Sequence, residues 1–118
     1  SAWDFGDAVR TGANTAAEDE CDLSLVEFSL PMFKAYVGGY LRGLGGELTR
    51  RELDLLPLGA KLMTLECGMR FLADHLNGDR YFHIRREGHN LDRARTQFRL
   101  VECMEKNWDA MVEIIKDA

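Results

Sequence analysis

The sequence contains few residues that break helices or cross-link chains. Only two of its 118 residues are proline and only three are cysteine. The cysteines are odd in number, and no two have the short spacing of a zinc site. Two of them lie inside helical patterns, which favours buried thiols in a reducing compartment and predicts a cytoplasmic protein. The three residues are Cys21, Cys67 and Cys103.

The sequence also lacks a surplus of positive charge and any apolar run as long as a membrane span. Asp and Glu number 20 against 15 Lys and Arg, giving a formal net charge of -5. Nucleic-acid binding needs a basic face, so neither a nucleic acid nor a membrane is an expected partner. The length and the hydrophobic content of 46% fit one globular domain spanning residues 1–118.

Apolar residues recur with helical spacing from Leu30 to Leu44. Ser29 can cap this helix, and Pro31 lies in its first turn, where a missing N–H group costs nothing. The pair Gly45–Gly46 is expected to end it. Two further glycines inside the helix, at 38 and 39, predict that a neighbouring helix approaches closely there.

A second helical region begins with a capping box, in which Thr49 is the cap and Glu52 reaches back to it. Pro57 is expected to interrupt this short helix. The next helix runs from about Pro57 to Leu76, and Asn77–Gly78 closes it. Its apolar residues are spaced by four, three, four, three and four: Leu58, Leu62, Leu65, Met69, Leu72 and Leu76.

The last region is a long helix for which Asn90 is the predicted cap, with Asp92 near its positive end. A short β-prone segment, 81–84, and a turn, 85–88, precede it. Its apolar stripe consists of Ala94, Phe98, Val101, Met104, Trp108, Met111 and Ile115. Three main amphipathic helices plus short helices predict an all-α fold.

The segment Asp4–Phe5–Gly6 has the spelling of a protein-kinase metal loop. That loop requires an upstream catalytic motif and a nucleotide-binding lysine, and neither precedes it in this sequence. Judged alone, Asp4 or Asp7 is better explained as a helix N-cap. The three histidines have no metal-ligand spacing, so no metal site is predicted.

Glu66, Arg70 and Asp74 are four residues apart and line one edge of the predicted helix. Surface ion pairs are the simpler explanation of this spacing. The functional alternative is an arginine held by carboxylates and aimed into a cleft, where its planar fork would grip hydroxyl or phosphate oxygens.

Several motifs in order resemble the C-terminal end of N-acetylhexosamine 1-kinases, members of the aminoglycoside phosphotransferase and choline kinase-like superfamily. The similarity covers nearly the whole chain from Trp3. The segments that carry it are DFGDAVR at 4–10, GANTA at 12–16, MTLECGMRFLAD at 63–74, LNGD at 76–79, YF at 81–82 and GHNLDRAR at 88–95.

The resemblance implies a protein-kinase-like parent that transfers the γ-phosphoryl group of ATP to the anomeric hydroxyl of an N-acetylated sugar. The nucleotide lobe, the catalytic aspartate and the Mg²⁺ ligands would lie upstream, so neither a cofactor nor a catalytic residue is assigned to this chain. Residues 1–24 would flank the active site, and 25–118 would form the helical bundle of the larger lobe.

The same resemblance makes Arg70 the best substrate-contacting candidate, with Glu66 as its orienting partner. Arg10, Asn14 and Phe5 are further candidates for the sugar pocket. Asp4 and Asp7 are expected to brace the catalytic loop through hydrogen bonds, so the D-F-G would not be the magnesium loop.

The chain is thus interpreted as an inactive C-terminal part of a sugar kinase whose partner is the missing N-terminal lobe. A free-standing helical interaction module is the alternative. Trp3, Phe5 and Val9 look like residues of a larger interior, which predicts an exposed apolar patch and self-association through it. A sulfatase-related role rests only on the label mucin desulfatase that some relatives carry, and no cysteine or serine here has a sulfatase-like context.

Overall fold

The computed structural model describes residues 2–44 and 48–118, with the side chains of Ala2 and Trp3 left out of the description. The predicted helix end at Gly45–Gly46 lies outside the described residues. Within them the chain is all-helical, as predicted, and contains no strand. The helices are α1 (Ala2–Gly12), α2 (Leu30–Leu44), α3 (Arg50–Asp54), α4 (Leu56–Leu76), α5 (His89–Lys106) and α6 (Trp108–Lys116).

Local signals place most helix boundaries correctly. Ser29 Oγ accepts a hydrogen bond of 3.3 Å from the N–H of Met32 at the start of α2. The capping box of α3 is confirmed, because Thr49 Oγ1 accepts from Glu52 N–H and the Glu52 carboxylate accepts from Thr49 N–H. Pro57 lies in the first turn of α4 and separates it from α3, as the sequence indicates.

The last helical region differs from its prediction in two ways. It consists of two helices, α5 and α6, with a break at Asn107. The cap of α5 is Gly88, with a φ of 75°, rather than Asn90, which lies inside the first turn and is fully buried. The segment 81–84 forms no strand and continues into the predicted turn before α5.

The core is formed by all the long helices and by the loop between α1 and α2. Phe5 on α1 packs against Phe33 and Tyr40 on α2, with ring centroids 5.9 Å and 5.2 Å apart. Val9 is fully buried beside them. Phe5 and Val9 therefore belong to the core rather than to an exposed patch, whereas the side chain of Trp3, the third residue of the predicted patch, lies outside the description.

The apolar stripe of α4 faces away from that core. We call this surface the α4 stripe. It consists of Leu58, Leu62, Leu65, Met69, Leu72 and Leu76. Four of its members are 40%, 42%, 58% and 75% exposed, in the order Leu58, Leu62, Met69 and Leu76. The buried face of α4 instead carries Leu56, Ala60, Thr64, Gly68, Phe71 and Asp74.

Small residues on α4 explain this orientation. A Cβ atom at Gly68 would lie 2.7 Å from Phe98 Cε1 of α5, and one at Gly6 of α1 would lie 2.7 Å from the carbonyl oxygen of Gly59. The backbone of α1 and the Phe98 ring of α5 therefore lie directly against the small-residue face, where larger side chains would hold the helices apart. The glycines of α2 behave differently: a Cβ at Gly38 would meet only the Arg42 side chain, so the predicted close helix approach is wrong.

None of the helices in the described part of the chain is long and apolar enough to cross a membrane.

Candidate functional site

A cleft of about 370 Å³ lies between α1 and α4 and is closed at one end by the loop after α4. It brings together four of the residues singled out in the sequence: Asp4, Asp7, Arg10 and Arg70. The remaining lining residues are Met63, Cys67, Phe71 and Phe82. Two carboxylates, two guanidinium groups and two aromatic rings therefore border one cavity.

The approach of α1 to α4 creates this cleft. Gly6 lies against Gly59 with no room for a side chain, and Met63 Cβ would be 3.1 Å from a Cβ at Gly6. Asp4 lies in the first turn of α1, and Asp7 and Arg10 follow at spacings of three along the same helix. Residues three apart share a helix face, so all three polar side chains reach the cleft together.

Arg10 is held in place by two carboxylates. Its Nε donates to Asp7 Oδ1 at 2.9 Å, and its Nη1 donates to Glu18 Oε2 at 2.5 Å. Its side chain is only 13% exposed. Burial lowers the pKa of Arg10, but the hydrogen bonds to Glu18 and Asp7 and the nearby negative charge raise it more, so the guanidinium keeps its charge. Arg10 therefore presents a fixed cation at the wall of the cleft.

Arg70 is exposed and lies against aromatic rings. Its guanidinium carbon is 5.5 Å from the ring centroid of Tyr81 and 5.6 Å from that of Phe82, and its Nη2 donates to Tyr81 Oη at 3.3 Å. Such cation–π contacts orient an arginine without neutralising it. Across residues 2–44 and 48–118, no salt bridge joins Arg70 to Glu66, the partner predicted to orient it.

Asp74 lies near the end of α4. Its spacing from Arg70 predicts a surface ion pair, but the structure places the carboxylate inside the protein. It is only 6% exposed. Its Oδ1 accepts the N–H of Tyr81 at 2.8 Å, and its Oδ2 accepts the N–H of Phe82 at 3.0 Å and the amide of Asn90 at 2.7 Å. The carboxylate thus ties the loop carrying both aromatic residues to α4 and α5. It positions the surface against which Arg70 lies.

Asn90 links the Asp74 carboxylate to two more side chains. Its amide also donates to Asp79 Oδ1 at 3.0 Å, and its carbonyl oxygen accepts from Arg93 Nη1 at 3.0 Å. Arg93 in turn lies 5.6 Å from the ring centroid of Phe71, on the wall of the cleft. The sequence predicts Asn90 only as a cap, and no local pattern indicates that its side chain turns inward.

Two of the predicted sugar-pocket residues lie away from the cleft. Phe5 is 2% exposed and packs in the core. Asn14 Oδ1 accepts the N–H of Ala16 at 2.9 Å, and its backbone bridges to Phe28, so it shapes the loop after α1. Glu66 borders a neighbouring apolar groove of about 650 Å³ on α4, which Arg70 separates from the cleft.

Cys67 adds a thiol to the cleft wall. Burial raises the pKa of this thiol, while the Arg10 guanidinium lowers it by a smaller amount. A raised pKa keeps the group protonated near neutral pH, which disfavours a nucleophilic role. The thiol serves better as a reporter of whether the cleft is filled.

A second polar cluster lies at the start of α5. His89 is buried, with Nε2 2.8 Å from Asp19 Oδ2 and Nδ1 accepting the N–H of Arg85 at 3.2 Å. Arg86 donates to Asp92 at 2.5 Å. These contacts fasten the loop after α1 to the start of α5, so part of the predicted arginine cluster has a structural role.

Among the residues that the structure describes, no group of three or more His, Cys, Asp or Glu side chains could hold a metal ion. The sequence matches no protein-family model.

Proposed function

We propose that the chain is the C-terminal helical part of a kinase of N-acetylated hexosamines, and that the cleft between α1 and α4 forms part of the sugar pocket. One observation supports this most: Asp4, Asp7 and Arg10 of α1 border the same cavity as Arg70 of α4, which lies about sixty residues later in the sequence. The motifs that resemble the sugar kinases, at 4–10 and 63–74, are the segments that build its two walls.

The chemistry of the cleft suits a sugar. Its volume of about 370 Å³ lies within the range of about 300–1,000 Å³ found for small-molecule sites. Carboxylates accept hydrogen bonds from hydroxyl groups, and a guanidinium donates two in a fixed plane. The Phe71 and Phe82 side chains give the apolar surface on which the C–H face of a sugar ring packs.

The parent reaction would be transfer of the γ-phosphoryl group of ATP to the anomeric hydroxyl. Such catalysis depends on positioning and on charge stabilisation by Mg²⁺ and a base aspartate. The described residues offer no cluster that fits Mg²⁺, so no step through the metal or ATP is assigned to this chain. We expect the chain to bind the sugar without phosphorylating it.

The test is a titration of the isotopically labelled 118-residue chain with N-acetylglucosamine and, separately, N-acetylgalactosamine, followed by amide NMR shifts. We expect saturable shifts within 4–10, 63–71 and 81–82 at millimolar concentrations, corresponding to a binding free energy of about -4 kcal/mol. Arg70→Ala should weaken binding about tenfold or more. The matched control is Arg95→Ala, which removes an exposed arginine from α5.

Shifts that stay linear up to about 50 mM, or that cluster away from the cleft, would refute the sugar pocket. Equal effects of Arg70→Ala and Arg95→Ala would do the same. Phosphorylation of either sugar by the chain with ATP and Mg²⁺ would contradict the expected lack of activity.

A second candidate function is that of a helical protein-interaction module. The observation that favours it is the α4 stripe, which leaves large apolar side chains exposed beside a groove of about 650 Å³. Contiguous exposed apolar surface of this kind marks interaction sites in soluble proteins.

A further inference from the structure

The α4 stripe is an apolar surface that the cleft does not use. Its six members, Leu58, Leu62, Leu65, Met69, Leu72 and Leu76, span about 27 Å of helix. Leu76 is 75% exposed and Met69 is 58% exposed, whereas the core side of the same helix is closely packed. Leaving this row in water is unfavourable, because burying large apolar side chains stabilises a protein roughly in proportion to the apolar area removed from water.

The spacing of the stripe indicates what covers it. Steps of four, three, four, three and four repeat every seven residues, which is the pattern of the contact positions in a two-helix coiled coil. A stripe this narrow fits one helix packed at a small angle rather than a broad sheet or a deep ligand pocket. The row repeats every seven residues along the helix, so a second copy of the same helix is complementary to it.

Charges at the two edges of the stripe select an orientation. Lys61 and Glu66 lie on opposite sides of the row and are five residues apart, the separation at which edge residues of two parallel helices meet across a coiled coil. In a parallel pair, Lys61 of each chain would face Glu66 of the other, twice by symmetry. In an antiparallel pair, like edges meet. The edge that holds Glu66 otherwise carries Gly59 and Ala73, so it offers Glu66 of the copy no cation to pair with.

Both side chains are available for this contact. Glu66 is exposed, and the Lys61 side chain is 31% exposed. Lys61 Nζ lies 3.3 Å from Glu105 on α5 and 5.5 Å from the ring centroid of Trp108 on α6. An ammonium group carries three N–H donors, so Lys61 can pair with a second carboxylate as well.

We propose that this chain forms a parallel homodimer through the α4 stripe, with reciprocal Lys61–Glu66 pairs between the two copies. The proposal is independent of the sugar pocket, because the stripe and the cleft lie on different faces of α4.

The first test is sedimentation of the 118-residue chain over a range of concentrations. We expect a reversible monomer–dimer equilibrium that Leu62→Lys and Met69→Lys each weaken by about a hundredfold, because each would bury two charges. Both positions are exposed in the monomer, so circular dichroism should show an unchanged helix content. Met32→Lys, at a 45% exposed position of α2, is the matched control and should dimerise like wild type.

The second test addresses the charge pairs. Lys61→Glu and Glu66→Lys should each weaken the dimer about tenfold, and the double exchange should restore it. Cysteine cross-linking then shows whether the two α4 helices are parallel or antiparallel. The exposed Cys21 is first replaced by serine, so that it forms no disulfide of its own. Leu58→Cys and Leu76→Cys should each give a disulfide-linked dimer alone, because parallel helices place each position opposite itself.

A monomer at every concentration overturns the proposal, as does a dimer that the two stripe variants leave unchanged. If the double variant Lys61→Glu with Glu66→Lys does not restore dimer formation, the proposed charge pairing is wrong. Cross-linking only in a mixture of the Leu58→Cys and Leu76→Cys proteins would show an antiparallel pair and refute the parallel one.

Discussion

Asn90 donates a hydrogen bond of 2.7 Å from its side-chain amide to the carboxylate of Asp74, sixteen residues earlier in the chain. Asn90 is fully buried, and Asp74 is 6% exposed. This pair joins the end of α4 to the start of α5 and fixes the loop between them. The aromatic residues against which Arg70 lies belong to that loop, so the pair positions one side of the candidate site.

Asn90→Ala should lower the free energy of unfolding by about 1–3 kcal/mol. The substitution removes one buried and two partly buried hydrogen bonds and leaves the Asp74 carboxylate short of a donor. Denaturant unfolding followed by circular dichroism measures the change. Asn77→Ala is the control, since Asn77 is exposed at the end of α4. Equal stabilities of the two variants would contradict the structural role of Asn90.

Asp74 should make stability depend on pH in the acid range. Burial raises its pKa, but the N–H groups of Phe82, Tyr81 and Arg80 and the Asn90 amide outweigh burial and lower it below the usual 3.8. A carboxyl group with a lowered pKa in the folded state stabilises the fold above its unfolded pKa. That stabilisation is lost as pH falls through the folded value.

Asp74→Asn should therefore melt at a lower temperature than wild type at neutral pH. The difference should narrow as the pH falls from about 4 towards 2, because the wild-type carboxylate is then protonated too. Thermal unfolding at a series of pH values measures this. A difference in melting temperature that stays constant across the acid range would contradict the assignment.

Two glycine substitutions should have opposite effects on stability. Gly39→Ala on α2 should raise the free energy of unfolding by about 0.5–1 kcal/mol, because the nearest atom to a Cβ there is Arg42 Nη2 at 3.9 Å. Gly6→Ala on α1 should lower it by about 1–3 kcal/mol, since its Cβ would lie 2.7 Å from the backbone oxygen of Gly59. Chemical denaturation of both variants gives the comparison, and stabilisation by Gly6→Ala would refute the close approach of α1 to α4.

Cys67 should report on the occupancy of the cleft. Cys67 is half-buried and Cys21 is exposed, so a reagent reaches Cys67 less readily and alkylation near neutral pH should be slower there. The pKa is raised at both thiols, by burial at Cys67 and by the hydrogen bond to Asp92 at Cys21. A saturating N-acetylated hexosamine should slow alkylation at Cys67 about threefold or more and leave the rate at Cys21 unchanged. Mass spectrometry of the two labelled peptides measures both rates. Equal protection at both thiols would indicate a general effect of the sugar rather than binding in the cleft.

Local sequence signals determined most of the helix boundaries. The Thr49–Glu52 capping box, Pro57 and the apolar spacing between residues 30 and 44 act within one or two turns, so their effect does not depend on distant residues. The same locality explains the error at Asn90, which has the residue type of a cap. Its amide is drawn inward by a carboxylate that only the packing of α4 against α5 brings near.

The sequence by itself determined an all-helical chain and the existence of an apolar row on α4. Only the tertiary structure decided which face of α4 became the core. The spacing of the apolar residues shows that a helix has an apolar and a polar face. Close packing between helices, however, also favours small residues at the contact. At Gly6 and Gly59 the backbones of α1 and α4 approach more closely than large leucines would permit, and at Gly68 the Phe98 ring occupies the space that a side chain would need. The α4 stripe therefore lies outside the core, and the cleft lies where α1 meets α4.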